Sequence, residues 1–239
     1  MISMPLNLRS IFSPQVIYEA QSQFCGSIQV IRTGNSVYVS TGGLTQSGGL
    51  VKNVWESVFK KISKTYNLTS KSWLILGLGA GTAAQMISGR FQPAKITGVE
   101  IDPVMIYIGK RYFDLDKIMN LKIIINDAKD YLLTTRDQYD VILVDLYLGD
   151  RLPGFVYSEK FLKKLRQLGL PSQHRSMSRD RIDPKGEWQD GEGQLVILNH
   201  LFYDPPKRQA ASQLVAKLGK IFPSVRLHRV LTNLLIICS

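Results

Sequence analysis

The chain has 239 residues, 44% hydrophobic and 21% charged, a composition that excludes a disordered chain and supports one substantial core. Its two cysteines, Cys25 and Cys238, exclude a disulfide framework and a paired-cysteine metal knuckle, so a reducing, cytoplasmic setting is expected. The formal charge of +11 directs attention to acidic partners, but the basic residues are dispersed over helix faces without interleaved aromatics, and nucleic acid is an open rather than a favoured partner. No apolar run reaches bilayer-spanning length, and no long apolar segment follows Arg9, so neither a membrane span nor a secretory leader is expected.

Residues 1–23 carry no strong pattern. From Gly26 the chain alternates: Ile28 and Val30 share a face, Arg32 to Asn35 supply turn residues, and Val37 and Val39 alternate again, which predicts a β-hairpin. Thr41 to Gly49 read as a flexible connector. Val51, Val54, Trp55, Val58, Phe59 and Ile62 then fall on one helical face. Residues 1–70 are thus expected to form a small β element with a connecting helix, and residues 71–239 the main domain.

From Lys71, strands are expected near 73–78, 95–100, 121–126, 140–145 and 194–199, with helices near 81–89, 103–112, 128–134, 158–168 and 207–220. That alternation builds a doubly wound, mostly parallel α/β sheet. Only Thr232-Asn233 joins the apolar runs 225–231 and 234–238, too short for a parallel crossover. They should form an antiparallel hairpin closing a seven-stranded sheet. The polar stretch from Pro171 to Gly193, which contains Trp188, reads as a surface insertion, with a lid as the alternative. His174, His200 and His228 have no metal-ligand spacing, and no metal is expected.

Ligands of such sheets bind at the carboxyl ends of the strands. Gly77, Gly79 and Gly81 follow the first of them, and Glu100 ends the second, 19 residues after Gly81. Asp127 follows the third and Asp145 ends the fourth. A glycine turn followed by carboxylates on successive strand ends suits a nucleoside: Glu100 for the ribose hydroxyls, Asp127 for the adenine amine, and Asp145 nearest the reactive end. Helix N-capping is the competing reading of Asp127.

These blocks resemble the spermidine-synthase family of the S-adenosylmethionine-dependent methyltransferase fold. The likeness runs through Gln46, Gly77 to Thr82, Val99 to Pro103, Lys110 to Phe113, Asp127 to Tyr131, Tyr139 to Asp145, and Ser158 to Leu162. It implies that Gln46, Gly77, Gly79, Gly81, Glu100, Ile101, Asp127 and Ala128 hold S-adenosylmethionine or its decarboxylated form, and that Asp145 is catalytic. It also leaves a homodimer open.

The departures from the family pattern concern the amine. The family places an aspartate inside its glycine loop, where this chain has Ala80, and another three residues past the catalytic one, where it has Leu148. No acid occurs from Ser47 to Asn53. A charge-assisted hydrogen bond to an ammonium group stabilises the bound amine by about 1.5–3 kcal/mol, and each missing carboxylate forgoes one. Asp150, Asp114 or Asp116 would have to substitute. Methyl transfer to an unknown acceptor is therefore favoured. Aminopropyl transfer with a rearranged amine site and a non-catalytic nucleoside-binding role remain the alternatives. Trp55 reads either as core or as a substrate contact, and Tyr147 as an aromatic wall beside Asp145.

Overall fold

The computed structural model describes residues 13–169 and 193–239. Among these residues the main sheet has seven strands: β5 (Ser72–Leu76), β6 (Lys95–Glu100), β7 (Leu121–Ile125), β8 (Val141–Val144), β9 (Leu195–Leu201), β10 (Val225–Val230) and β11 (Asn233–Cys238). Their spatial order is β10-β11-β9-β8-β5-β6-β7. The five strands β5 to β9 run parallel, and β11 pairs antiparallel with both β9 and β10. The expected seven-stranded sheet with a closing hairpin is what the chain forms.

Six α-helices of the described residues cover it: α1 (Gly49–Ile62), α2 (Thr82–Arg90), α3 (Pro103–Tyr112), α4 (Ala128–Thr134), α5 (Glu159–Gln167) and α6 (Pro205–Leu218). The two-residue period of a strand divides each one between two cores. Leu74, Leu76, Ile142, Val144, Val196 and Leu198 face α4, α5 and α6. Trp73, Ile75, Val141, Leu143, Leu195 and Ile197 face the layer of α1 and α2. Asp204 caps α6, accepting from Lys207 N at 2.8 Å, with Pro205 opening the helix.

The amino-terminal part differs from expectation. It is a four-stranded antiparallel sheet of β1 (Gln15–Ser22), β2 (Gly26–Thr33), β3 (Ser36–Thr41) and β4 (Leu44–Gly48), in that order. The expected hairpin is β2–β3. β1 escapes the sequence pattern because its register shifts between Val16 and Tyr18, which breaks the alternation. β4, expected as a flexible connector, is a strand with almost no apolar side chains. It is held instead by polar contacts to the turn after β5.

Those contacts fasten the small sheet to the crest of the large one. Ser47 Oγ, buried, accepts from Ala80 N at 3.0 Å, and Gly48 N donates to Thr82 Oγ1 at 2.8 Å. Ser22 Oγ donates to the buried Asp102 Oδ2 at 2.5 Å. Ile28, Val30 and Val39 complete the joint by packing on Ala80, Met105 and Ile108. Residue 70 lies in the loop between α1 and β5. The insertion read at Pro171 to Gly193 falls, apart from Gly193, outside the described residues.

Two substitutions test this joint. Ser47→Ala strands the buried Ala80 N–H and should lower unfolding free energy by about 1–3 kcal/mol in urea titrations. Gly77 has φ +87°, and an added Cβ would lie 2.2 Å from the Asp145 carbonyl oxygen. Gly77→Ala should therefore cost about 3–5 kcal/mol on the same titration.

Candidate functional site

The turn after β5 must reverse direction within five residues, and Gly77, Gly79 and Gly81 do this with φ of +87°, +55° and +97°. All five backbone N–H groups from 77 to 81 are bonded inside the protein. Gly77 N and Leu78 N both donate to Val99 O at 3.0 Å. Gly79 N donates to Glu100 Oε2 at 2.7 Å, Ala80 N to Ser47 Oγ, and Gly81 N to Leu78 O at 3.0 Å. Gly81 is also filled from behind, since a Cβ there would meet Leu115 Cδ1 at 2.3 Å.

Glu100 ends β6 almost fully buried, and its other oxygen, Oε1, accepts from Asp102 N at 3.0 Å. Burial pushes its carboxyl up, and the Asp102 and Gly79 N–H groups pull it partly back. A carboxylate has roughly four acceptor positions, so about two remain after these bonds. Ile101 follows at partial burial. The adjacent strand end brings Asp127: Glu100 is in register with Ile125, and Asn126 N donates to Glu100 O at 3.0 Å. Asp127 caps α4, its Oδ1 accepting from Lys129 N at 2.7 Å and Asp130 N at 3.3 Å. The capping reading holds for that oxygen. Ala128, behind it, is buried.

Asp145 follows β8 and is held to β5 through its backbone, Asp145 N donating to Leu76 O at 2.8 Å. Two side chains aim N–H groups at its carboxylate. Asn199 Nδ2 donates to Oδ1 at 2.9 Å, and Trp55 Nε1 donates to Oδ2 at 3.2 Å. Burial raises the carboxyl to about 6, against the pull of these two donors. Asn199 is oriented in turn: its Oδ1 accepts from Asn233 Nδ2 at 2.9 Å, and its carbonyl accepts from Tyr147 OH at 2.9 Å. The network assigns the Asn199 amide.

The structure therefore gathers Gly77, Gly79, Glu100, Asp127 and Asp145 along one crest, with Gln46 beside them: its carbonyl oxygen lies 3.8 Å from where a Gly79 Cβ would stand. Trp55 is fully buried, as the core reading expects, and also donates to Asp145. Tyr147 ties β9 down through Asn199 rather than standing as an open wall. Ala80 is fully buried in the joint between the sheets and does not line an open surface. Sequence reasoning missed Ser47 and Asn199. Asn199 had a visible signal, a polar residue closing the apolar run Leu195 to Leu198 at a strand end.

Among the described residues no cluster of histidine, cysteine or carboxylate side chains could hold a metal, and no helix is long and apolar enough to cross a membrane. A cavity lined by Glu56, Lys60, Lys64, Tyr66 and Arg90 lies between the carboxyl-terminal ends of α1 and α2, away from the crest. It has no part in this geometry.

Residues 57–169 match the family model of the spermine/spermidine synthase domain. Over 164 residues the chain is 28% identical to the eEF1A lysine and N-terminal methyltransferase homolog of Drosophila melanogaster, covering 65% of this chain and 21% of that protein. Over 170 residues it is 27% identical to a probable polyamine aminopropyl transferase of Bifidobacterium longum, covering 68% of this chain and 37% of that one. It thus spans about a fifth and just over a third of these relatives' lengths. The crystal structure of a probable spermidine synthase from Corynebacterium glutamicum superposes with a TM-score of 0.71 at 16% identity, covering 94% of this chain and 80% of that one. The chain is thus spermidine synthase-like: residues 57–169 match the spermine/spermidine synthase domain, and the doubly wound sheet is shared with that structure.

Proposed function

We propose that this chain is a group transferase of the S-adenosylmethionine type, with methyl transfer to an acceptor nucleophile as its favoured reaction. The nucleoside lies across the carboxyl ends of β5 to β8. Glu100 takes the ribose hydroxyls, Asp127 and the Ala128 backbone take the adenine edge, and Gln46, Ile101 and the glycines flank it. The sulfonium supplies an activated methyl group, and Asp145 orients the acceptor and accepts the proton it loses.

One observation carries the nucleoside reading. A dinucleotide- or phosphate-binding turn presents unpaired N–H groups to an anion. Here every N–H from 77 to 81 already has a protein partner. A ligand without phosphate, recognised by carboxylates, fits such a turn.

The choice of methyl transfer rests on the acids. Ala80 is apolar and buried, and Leu148 is 60% exposed with no carboxylate to offer. Asp150, the nearest substitute, is engaged by Lys207 Nζ at 2.6 Å and Tyr203 OH at 3.1 Å, and the Lys207 contact holds its carboxyl below the usual range. Asp114 pairs with Lys117 at 2.8 Å. A diamine would find little compensation for its second ammonium. The second reading, aminopropyl transfer from decarboxylated S-adenosylmethionine, is kept by the matched domain and by the Bifidobacterium relative's name.

Calorimetry separates the two. S-adenosylmethionine and S-adenosylhomocysteine should bind at least about tenfold more tightly than decarboxylated S-adenosylmethionine, the equivalent of one charge-assisted hydrogen bond. The opposite order, with turnover of putrescine, would establish the aminopropyl reading. Asp145→Asn should reduce transfer by about 10²–10⁴-fold while changing nucleoside affinity less than about threefold. Because a proton acceptor must be ionised, the wild-type rate should rise with pH through about 6 and level off above it. A rate flat from pH 5 to 8 would remove Asp145 from proton transfer.

A further inference from the structure

We propose that the crest beside Asp145 docks an acidic polypeptide segment, which carries the nucleophile to the transferred group. The inference rests on the transferase reading and names its acceptor class.

The segments after β8 and β9, and the turn between β10 and β11, meet at this crest. Phe202 N donates to Thr232 O at 2.7 Å, and Asn233 reaches Asp145 through Asn199. They bring four cations together with two carboxylates. Lys207 Nζ sits between Asp150 Oδ2 at 2.6 Å and Asp204 Oδ2 at 2.9 Å, so each acid has a cation against it. Arg151 adds a contact to Asp150 at 3.7 Å and is otherwise exposed. Arg208 and Arg229 flank the Phe202 ring at 6.0 and 5.6 Å from its centroid, and Arg208 Nη2 donates to Tyr203 O at 3.2 Å. Among the described residues neither guanidinium pairs with a carboxylate, and both residues are exposed.

Guanidinium groups held by cation–π and carbonyl contacts, with no acid partner, form a preorganised receptor for carboxylates. The same crest exposes Leu148 (60%), Tyr203 (41%) and Leu231 (55%), apolar footing that suits peptide side chains. A polyamine would meet like charge here. A single-stranded nucleic acid would need free aromatic faces for stacking, and the rings of Phe202 and Tyr203 already have cations against them.

The test uses the whole chain saturated with S-adenosylhomocysteine and a fluorescein-labelled 15-residue peptide of Glu, Asp and Leu with one central Lys. Controls are its Gln/Asn counterpart and a 15-nucleotide oligouridine. Anisotropy should show the acidic peptide bound at least about tenfold more tightly than the neutral one, with affinity falling between 50 and 200 mM salt. The double variant Arg208→Gln/Arg229→Gln should lose about tenfold of that affinity and most of its salt dependence, with calorimetric S-adenosylhomocysteine affinity unchanged within about twofold. Equal binding of the two peptides, tighter binding of the oligouridine, or an unaffected double variant overturns the proposal while S-adenosylhomocysteine binding stands. Failure of the wild type to bind S-adenosylhomocysteine overturns the nucleoside reading, and this one with it.

Discussion

The crest of this molecule depends on how the turn after β5 satisfies its own backbone. Three left-handed glycines let five consecutive N–H groups turn inward, onto Val99, Glu100, Ser47 and Leu78. Two consequences follow from one piece of geometry. The Glu100 carboxylate is fixed at the strand end by the turn itself, before any ligand arrives. The amino-terminal sheet is fixed to the same turn through Ser47, so an element with few apolar residues of its own becomes a wall of the site. Preorganisation of this kind removes the ordering entropy that a ligand would otherwise have to overcome.

Asp145 sits under the opposite constraint. Asp145 is half-buried, and the desolvation of its carboxyl raises it to about 6, well above the usual carboxylate range. The folded chain therefore binds that proton more tightly than the unfolded chain does. The stability it contributes is fully present below the unfolded value, near 4, and is lost as pH rises through about 6. At neutral pH the ionised form costs the folded chain on the order of 3 kcal/mol. Asn199 and Trp55 limit the burden by donating to both oxygens, and they draw β9 and α1 into the site.

The aminopropyl and methyl readings differ in how many acids face the acceptor, and the acids after β8 and β9 are paired. Asp150 and Asp204 both bind Lys207, while Arg208 and Arg229 rest on Phe202. Electrostatically, the proposed acceptor side would favour anions around the half-buried Asp145. The match to the spermine/spermidine synthase domain and the departures at Ala80 and Leu148 are compatible under the proposed reading, in which the nucleoside half of the plan is kept and the polyamine half is not.

Much of this was legible in the chain itself. The apolar runs at 73–76, 141–144 and 195–198, separated by helical periods, dictate a parallel sheet, because each run is apolar on both faces and needs a layer on each side. The two-residue link at 232–233 dictates the antiparallel end, and the glycines with Glu100, Asp127 and Asp145 mark the crest, because chain order places successive strand ends side by side. β1 and β4 were not legible: a register shift hides the alternation of one, and the other is stabilised by contacts some thirty residues away in sequence. The partners of Asp145 come from residues 55 and 199, and Asp150 is tied to Lys207, which sequence spacing does not reveal. Local sequence determined the strands and the carboxylates at their ends. Only the tertiary structure decided which of those carboxylates remain available, because hydrogen bonds and charges pair by distance in space and not by separation along the chain.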